Sequence, residues 1–546
     1  MLVADAVGRA LAEAGVERVF GVVGSGNFHL TNAMLAGGSR FVAARHEGGA
    51  ATMADAFARM TGTVTALSVH QGCGLTNAMT GIAEAAKSRT PLLVLAAEAT
   101  NPRSNFYVDQ ESLARAVGAV PLRITTAEDA VDVAVAAVRT ALRERRTVLL
   151  NLPLEVQGLE VPAQPEGRLS TPAVEEPQSP SGTDLDALRH AVERADRPVF
   201  VAGRGARSPE ARQALESLAE ECGALLATSA VAKGLFRDHP WCLDVSGGFS
   251  SPTAADLIRG ADLIVGWGCA LNMWTMRHGR LIAPEATVVQ VDDTPDALGA
   301  HREISLGVVG DVAHTAQALA GRVRREGEGY RTADVGARIA SSVRWRDVAF
   351  HDESTDERID PRTLSIALDD LLPTERVVSV DSGNFMGYPS MYLSVPDEQG
   401  FCFTQAFQSI GLGLATGIGA ALARPDRLPV AALGDGGALM SSAELDTVVR
   451  LGLPMVVVIY NDDAYGAEVH HFASDDVPLD TVRFPETDIA AIARGFGFEA
   501  CTVRRTEDLA PLRHWVAGER NQPFLVDAKV TTDSPSWWLE EAFRGH

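Results

Sequence analysis

Residues 428–466 place two acidic side chains and a glycine-rich turn after consecutive apolar runs. The run at 428–433 is followed by GDGG, which contains Asp435, and the run at 455–460 is followed by NDD, which contains Asp462. Glycines let a backbone approach a bound group, and the helix N-terminus behind such a turn favours an anion. Two hard oxygen ligands beside that turn suit Mg²⁺ bridging to a diphosphate. The alternative is an ordinary β-α-β unit with acidic strand ends, but the spacing of 27 residues favours the cofactor site.

These groups need a strand–turn–helix–strand scaffold to position them. Apolar residues recur at helical spacing over 439–451, between the two apolar runs. Residues 63–98 repeat the layout, with an apolar run ending at His70, a glycine turn, a helical pattern over 76–88, a proline and a second apolar run. Two such copies, about 360 residues apart, indicate an internal duplication. Two related sheets could therefore flank one ligand.

The whole chain is too long for a single core, since 546 residues normally divide into several domains. Repeated β-α units with apolar strands imply parallel sheets that are covered on both faces. We therefore predict an α/β protein with three doubly wound parallel-sheet domains, the first and last being related. The predicted domains span 1–160, 182–325 and 359–546, separated by a Pro- and Ser-rich linker at 158–181 and a charged connection at 326–358.

Composition excludes several classes of function. The formal net charge of −23 argues against a nucleic-acid partner and a polybasic membrane surface. An anionic cofactor must then be held by metal and backbone amides. The N-terminus shows helical spacing rather than a signal peptide, and no apolar run reaches membrane-spanning length. The six cysteines show no CxxC spacing, which argues against zinc and a disulfide framework and predicts a cytoplasmic protein.

The GDG sequence followed after about 27 residues by Asn461-Asp462 resembles the metal–diphosphate motif of thiamine-diphosphate-dependent enzymes. In that family the second residue of the pair is Asn, so Asp462 is a departure; a carboxylate still suits Mg²⁺. The resemblance implies that Asp435, Asp462 and the backbone carbonyl of Ala464 hold the metal. Nearly the whole chain resembles the group of acetohydroxyacid synthase, pyruvate oxidase and benzoylformate decarboxylase. Its domain order would be pyrimidine-binding, middle and diphosphate-binding.

The resemblance also assigns residues around the organic part of the cofactor. Glu47, predicted to end a strand, falls where the family places the acid that contacts the aminopyrimidine; a solvated strand end is the alternative. Ile410 matches the apolar residue that bends the cofactor, with a core isoleucine as alternative, and the backbone of Gln408 should face the pyrimidine amino group. The other positions implied to contact the cofactor are Asn77, Ser382, Gly383, Asn384, Gly434, Gly436, Gly437, Tyr465 and Gly466.

The predicted substrate pocket mixes features of two relatives. Ser25 and His70 fall where benzoylformate decarboxylase carries its substrate-binding Ser and proton-relay His, and Gln110 falls where acetohydroxyacid synthases keep an active-site Gln. A structural role for His70 is the alternative. Relatives mostly place apolar residues at Glu468 and His471, so we hypothesise a substrate or acceptor with a hydrogen-bonding or cationic group. Alternatively, Glu468 points to solvent.

The resemblance implies an enzyme that decarboxylates a 2-oxo acid and transfers the enamine to an aldehyde or oxo acid acceptor, as acetolactate synthase does. The alternatives are a benzoylformate-type decarboxylase without ligation and a catalytically silent thiamine-diphosphate-binding subunit. Thiamine diphosphate and Mg²⁺ are the expected cofactors. Gly203 and Gly205 follow an apolar run but lack the third glycine of a dinucleotide turn, and FAD is doubtful. A homodimer or homotetramer is expected, because in the family Glu47 of one chain serves the cofactor bound mainly by the next.

Overall fold

The computed structural model describes residues 1–162, 178–324, 327–475 and 477–542. Much of the predicted linker, residues 163–177, lies outside the described residues, as do 325–326 at the predicted boundary of the middle domain. Three six-stranded sheets follow one another along the chain, and all the strand pairs described are parallel. We call the parts that carry them the first, middle and third blocks.

The first block alternates strands with helices, as the apolar runs predict. Its strands are β1 Arg18–Gly21, β2 Arg40–Ala43, β3 Thr65–Val69, β4 Leu92–Glu98, β5 Val120–Arg123 and β6 Thr147–Pro153. Its helices are α1 Val3–Glu13, α2 Phe28–Ala36, α3 Glu47–Thr61, α4 Cys73–Asn77, α5 Met79–Lys87, α6 Gln110–Ala116, α7 Ala130–Arg143 and α8 Leu154–Gln157. The sheet order is β2-β1-β3-β4-β6-β5.

The middle block has a different strand order, β12-β11-β10-β7-β8-β9. Its strands are β7 Pro198–Ala202, β8 Leu225–Thr228, β9 Cys242–Val245, β10 Leu263–Trp267, β11 Thr287–Asp292 and β12 Leu306–Val309. Its helices are α9 Gly182–Arg194, α10 Pro209–Cys222, α11 Pro252–Arg259 and α12 Val312–Leu319. The order is that of a doubly wound dinucleotide fold, with its switch point between β7 and β10. In its described part, the predicted charged connection contains the α-helix α13 Ala333–Ser342 and a short 3-10 helix at Trp345–Asp347.

The third block repeats the topology of the first. Its strands are β13 Arg376–Val380, β14 Phe401–Cys402, β15 Leu428–Gly434, β16 Val456–Asn461, β17 Glu499–Val503 and β18 Phe524–Lys529, in the order β14-β13-β15-β16-β18-β17. Its helices are α14 Pro361–Leu371, α15 Gly387–Tyr392, α16 Gly413–Ala423, α17 Asp435–Met440, α18 Glu444–Arg450, α19 Gly466–Phe472, α20 Ile489–Phe496, α21 Ala510–Ala517 and α22 Trp537–Ala542. Counted from the first strand of each block, the two orders are identical, which confirms the predicted relation.

The first and third blocks share one hydrophobic core. Its buried members include Phe20 and Leu67 from the first block and Leu414 and Ile459 from the third. Helices α3 and α16 pack backbone to backbone at the boundary, since a Cβ on Gly419 would lie 2.3 Å from the carbonyl oxygen of Met53. This shared core fixes the geometry of one block relative to the other.

Three local predictions were wrong. The helix predicted over 76–88 is two helices, α4 and α5, and the first of them begins at Cys73. The strand predicted to end at Glu47 ends at Ala43, and Glu47 is the first residue of α3. The N-cap of α3 is His46, whose Nδ1 accepts a hydrogen bond from the N–H of Gly48 at 3.0 Å. The single helix predicted between the two C-terminal runs is two helices, α17 and α18.

Candidate active site

Asp435 and Asp462 meet at the ends of two neighbouring strands. Asp435 opens α17 directly after β15, and Asp462 follows β16, which pairs with β15 in parallel register. Asp435 is 7% exposed, and its carboxyl group lies against that of Asp462. Burial raises the pKa of both groups, and for Asp462 the charge of Asp435 adds to the rise. Two buried carboxylates in contact are a hard-oxygen donor set that a divalent cation would relieve of repulsion.

This donor set fits Mg²⁺ shared with a diphosphate rather than a site made of side chains alone. Within the described residues, no group of three or more His, Cys, Asp or Glu side chains forms a metal cluster. The remaining ligands would therefore come from backbone and cofactor oxygens. Mg²⁺ is commonly bound in this way, through one or two carboxylates and substrate phosphates.

The glycines of the turn are required by close packing. A Cβ on Gly436 would lie 2.6 Å from the ring of Tyr465, and a Cβ on Gly466 would lie 2.1 Å from an oxygen of Asp462. A Cβ on Gly437 would lie 2.2 Å from an oxygen of Asp381. Side chains at these positions would displace the groups that form the site. The predicted cofactor positions Gly436, Gly437, Tyr465 and Gly466 are thus brought together around the two aspartates, with Gly434 ending β15 beside them.

A polar network lies beside the loop that contains Asp462. Asn461 donates its side-chain amide to Asp527 at 2.9 Å, and Lys529 Nζ lies 3.4 Å from the other oxygen of Asp527. Asp463 has a left-handed backbone with φ of 54°, and Arg358 binds its carboxylate at 2.6 Å. No sequence pattern predicts this network, because its members lie far apart along the chain.

The loop at 382–384 is tied to the start of α16 and to the C-terminal segment. Asp381 accepts hydrogen bonds from the N–H of Ser382 and of Gly411, each at 2.9 Å. Burial raises the pKa of Asp381 to about 6, against the opposing effect of these N–H groups. The amide oxygen of Asn384 accepts from the N–H of Ser536 at 3.0 Å.

The C-terminal tryptophans serve packing at this loop. Trp538 is 8% exposed and donates its indole N–H to the carbonyl of Asn384 at 2.9 Å. Ser536 donates its hydroxyl to the same carbonyl at 2.7 Å. These contacts show that Trp538 packs against the loop and holds the predicted cofactor position Asn384.

Two further predicted cofactor residues lie on the loop before α16. Gln408 has a left-handed backbone with φ of 64° and is exposed. Ile410 is half-buried, and its neighbour Phe407 is 45% exposed. A positive φ in a residue other than glycine is uncommon and marks a constrained loop.

Glu47 faces the first block's own glycine turn. Its Oε2 accepts a hydrogen bond from the side-chain amide of Asn77 at 3.1 Å, and a Cβ on Gly74 would lie 3.4 Å from its Oε1. Glu47 is half-buried and Asn77 is exposed in the single chain. The predicted pair therefore lies together, on a face that this chain leaves partly open.

His70 follows β3 and is held in one orientation. The N–H of Gly26 lies 3.2 Å from Nδ1, and the ring meets Phe106 edge-on at 5.4 Å. Because Nδ1 accepts this hydrogen bond, the assigned tautomer carries its proton on Nε2. Burial lowers the pKa of His70, with the charge of Glu47 opposing, which favours the neutral ring. Ser25 is exposed and precedes Gly26 in this turn.

The other predicted substrate residues differ in their surroundings. Gln110 is 1% exposed; its amide donates to Asn151 at 2.7 Å and accepts from the N–H of Gly72 at 3.2 Å. Its side chain therefore supports the turn after β3, and contact with substrate stays a prediction. Glu468 is exposed on α19 and His471 is half-buried.

Gly203 and Gly205 of the middle block serve backbone packing at the switch point. The N–H of Gly205 donates to the carbonyl of Gly268 at 3.1 Å, and a Cβ on Gly203 would lie 2.3 Å from that carbonyl oxygen. The close approach of two backbone segments explains these glycines without a dinucleotide.

Models of one family match all three blocks. The N-terminal TPP binding domain of thiamine pyrophosphate enzymes matches residues 1–117, the central domain matches 185–319, and the C-terminal TPP binding domain matches 381–528. The chain belongs to the thiamine pyrophosphate enzyme family. The two halves that share a core are thus the two cofactor-binding domains of this family.

Relatives and a solved structure cover nearly the whole chain. A sulfoacetaldehyde acetyltransferase of Rhodobacter capsulatus is 27% identical, covering 100% of this chain and 96% of its own. A probable 2-ketoarginine decarboxylase of Pseudomonas aeruginosa is 29% identical, covering 93% and 90%. The thiamine diphosphate-dependent 4-hydroxybenzoylformate decarboxylase of Rhodococcus jostii has the same fold, with a TM-score of 0.82, 23% identity and coverage of 98% and 100%. No helix in the described part of the chain has the length and apolar character that crossing a membrane requires.

Proposed function

We propose that this chain, with thiamine diphosphate and Mg²⁺, decarboxylates a 2-oxo acid and that His70 returns a proton to release an aldehyde. The observation that carries this proposal is the orientation of His70, whose Nδ1 accepts from the N–H of Gly26 at 3.2 Å and whose proton therefore lies on Nε2. A neutral imidazole with a fixed donor suits proton delivery at neutral pH. Bound thiamine diphosphate would supply the electron sink that decarboxylation requires.

The remaining groups bind and orient the cofactor. Asp435 and Asp462 would hold Mg²⁺, and the backbone N–H groups of the turn at 434–437 would bind the diphosphate. Glu47 contacts the aminopyrimidine, with Asn77 fixing its carboxylate by the 3.1 Å hydrogen bond. A carboxyl in this place is needed by an enzyme that activates the cofactor, and a silent binding subunit has no such requirement.

The active site is completed by a second copy of the chain. Glu47 is only half-buried, and its contacts in the chain lie in the first block, whereas those of Asp435 lie in the third. A catalytic carboxyl needs a water-poor surrounding that a partner subunit would provide. Native mass spectrometry should give a dimer or a tetramer with two or four bound cofactors.

Transfer to an acceptor is the second candidate function. It is supported by the acetyltransferase relative, which is 27% identical along the whole chain. In that case the aldehyde-forming protonation by His70 competes with attack on a second carbonyl. The relative named as a probable 2-ketoarginine decarboxylase supports the first candidate. Together with the exposed carboxylate of Glu468, two residues after Gly466, it supports a donor that carries a cationic side chain.

A panel of 2-oxo acids decides between these functions. The chain is loaded with thiamine diphosphate and Mg²⁺ and given apolar, anionic and guanidino-substituted 2-oxo acids, with and without aldehyde acceptors, and the products are identified. Carbon dioxide with free aldehyde supports decarboxylation, and a hydroxyketone or acyl product formed only with acceptor supports transfer. Tight cofactor binding without turnover of any donor would identify a silent subunit.

A further inference from the structure

A buried carboxylate of the third block reaches across to the first. Glu444, on α18, is 2% exposed. Its Oε1 accepts hydrogen bonds from the N–H of Arg45 at 3.1 Å and of His46 at 3.0 Å. A Cβ on Gly49 would lie 2.5 Å from the same oxygen, so the start of α3 carries glycine where the carboxylate passes.

A buried carboxylate of the first block makes the reciprocal contact. Glu84, on α5, is fully buried. It accepts from the N–H of Ala406 at 2.9 Å and of Phe407 at 2.6 Å, on the loop that leads to α16. Glu444 thus binds two successive backbone N–H groups just before α3, and Glu84 binds two on the loop before α16.

The bound segments lead directly to residues proposed to contact the cofactor. The segment held by Glu444 is followed at once by Glu47. The segment held by Glu84 is followed by Gln408, with its left-handed backbone, and then by Ile410. All four N–H donors belong to the block opposite the glutamate that binds them. These contacts therefore link the two blocks.

We propose that Glu444 and Glu84 are reciprocal positioning residues: Glu444 fixes the backbone that carries the pyrimidine-contacting Glu47, and Glu84 fixes the loop of Gln408 and Ile410. The inference rests on the proposed thiamine diphosphate function. Proton transfer to a bound group tolerates only small displacements, so a backbone held by two hydrogen bonds from a buried carboxylate has a direct effect on rate. A buried acceptor whose removal leaves two N–H groups unpaired is costly to lose.

The first test measures amide hydrogen exchange in the cofactor-free chain. Glu444→Ala should raise exchange of the peptide over 43–49 about tenfold and leave the peptide over 404–411 unchanged. Glu84→Gln should do the reverse, because one amide oxygen cannot replace two carboxylate oxygens that serve separate N–H donors. Equal loosening of both peptides in either variant, or of neither, overturns the proposal.

Two control variants make this test specific. Glu444→Gln should keep most of the protection of 43–49, because Oε1 accepts from both N–H groups and Oε2 adds only a longer second contact of 3.3 Å with the N–H of Arg45. The new amide can face Thr447, which now donates to Oε2 at 2.6 Å. Asp446→Asn removes a carboxylate that pairs with the side chain of Arg45 in the same segment. The two side chains are 2.5 Å apart, and the pair is largely exposed. The substitution should leave backbone protection unchanged.

The second test asks whether Glu444 acts through Glu47. In the holoenzyme, exchange of the thiazolium C2 hydrogen of bound thiamine diphosphate is followed by NMR after acid quench. Glu444→Ala should slow it about tenfold in the wild-type background and add no further loss in a Glu47→Gln background. Losses that multiply would show a general structural effect and refute the positioning role. A wild-type chain that binds no thiamine diphosphate with Mg²⁺ would instead refute the proposed function, and the amide-exchange result would still decide the contact.

Discussion

The first and third blocks have one topology but opposite chemistry at the ends of corresponding strands. After β15 and β16 the carboxyl groups of Asp435 and Asp462 lie against each other, where a bound cation would offset their charge. After β3 the corresponding place holds the neutral ring of His70, and β4 ends in Glu98, which Arg123 binds at 2.5 Å. The two blocks share a scaffold and differ at their strand ends: one carries the carboxylates proposed to hold Mg²⁺, and the other carries the imidazole proposed to deliver a proton.

The two crossing glutamates differ in how their charge is held. Glu84 is paired with the buried Arg59 at 2.7 Å, and the side chains are 0% and 6% exposed. Glu444 has the hydroxyl of Thr447 at 2.6 Å in place of a guanidinium. The contact that Glu84 makes with the third block therefore depends on a buried ion pair, whereas the contact that Glu444 makes with the first block depends on hydrogen bonds. Similar geometry should respond differently to loss of charge.

The largest effect is expected from breaking the metal pair. Asp435→Ala should weaken Mg²⁺-dependent binding of thiamine diphosphate by at least about 100-fold, because one of two protein carboxylates for the metal is lost. Isothermal titration calorimetry with and without Mg²⁺ measures this. Glu98→Gln, at the corresponding end of the first block's sheet, should bind the cofactor as the wild type does. Equal weakening in both variants would contradict the division of roles between the two blocks.

His70→Gln should act on turnover rather than on cofactor binding. We expect kcat for aldehyde formation to fall by about 100-fold or more, since a positioned general acid contributes 10² to 10⁴, while the affinity for thiamine diphosphate changes little. Product analysis should show carbon–carbon ligation favoured when an acceptor aldehyde is present. Unchanged aldehyde formation would leave His70 a structural residue of the turn.

Neutralising the two crossing glutamates should separate them by stability. Glu84→Gln leaves Arg59 without one of its two buried carboxylates and should cost about 3 kcal/mol of unfolding free energy. Glu444→Gln keeps its backbone acceptor and should cost about 1 kcal/mol or less. Urea denaturation midpoints measure both. A comparable cost for the two substitutions would show that the ion pair with Arg59 does not set Glu84 apart from Glu444.

Acid should erase the contribution of Glu84. Burial opposes its charge, but Arg59 and the N–H groups of Ala406 and Phe407 prevail and hold the pKa of Glu84 below its ordinary value of 4.5. Its stabilising effect is therefore complete above about pH 4.5 and is lost as the pH falls through the lower folded-state pKa. The difference in stability between wild type and Glu84→Gln should shrink as the pH falls from about 5 to about 3. A difference that is constant over this range would argue against the ion pair as its source.

The smallest expected effect concerns substrate choice. Glu468→Leu should shift relative kcat/KM among 2-oxo acids away from donors with cationic or hydrogen-bonding side chains, by roughly tenfold. His471→Leu is the matched variant one turn along α19. An unchanged substrate profile in both would mean that neither side chain faces the donor.

Much of the scaffold could be predicted because apolar runs and glycine turns are local signals. The duplication, the parallel sheets and the strands β4 and β15 follow from patterns of a few residues each. The boundary at Glu47 was missed because the strand and the helix N-terminus lie close together, and sequence patterns locate boundaries poorly. The break between α17 and α18 was missed because apolar spacing continues across it.

The sequence by itself determined the two acidic strand ends, the glycine turn beside them and the family to which these belong, since all are encoded within short stretches. Tertiary structure alone decided which side chains support them. Glu84 lies seven residues before Pro91 and Glu444 ten before Pro454, so an alignment of the two halves does not pair them. The two glutamates nevertheless play the same role, because their positions in the two halves differ by about one helical turn and so share a helix face. Folding then brings each glutamate against a segment hundreds of residues away.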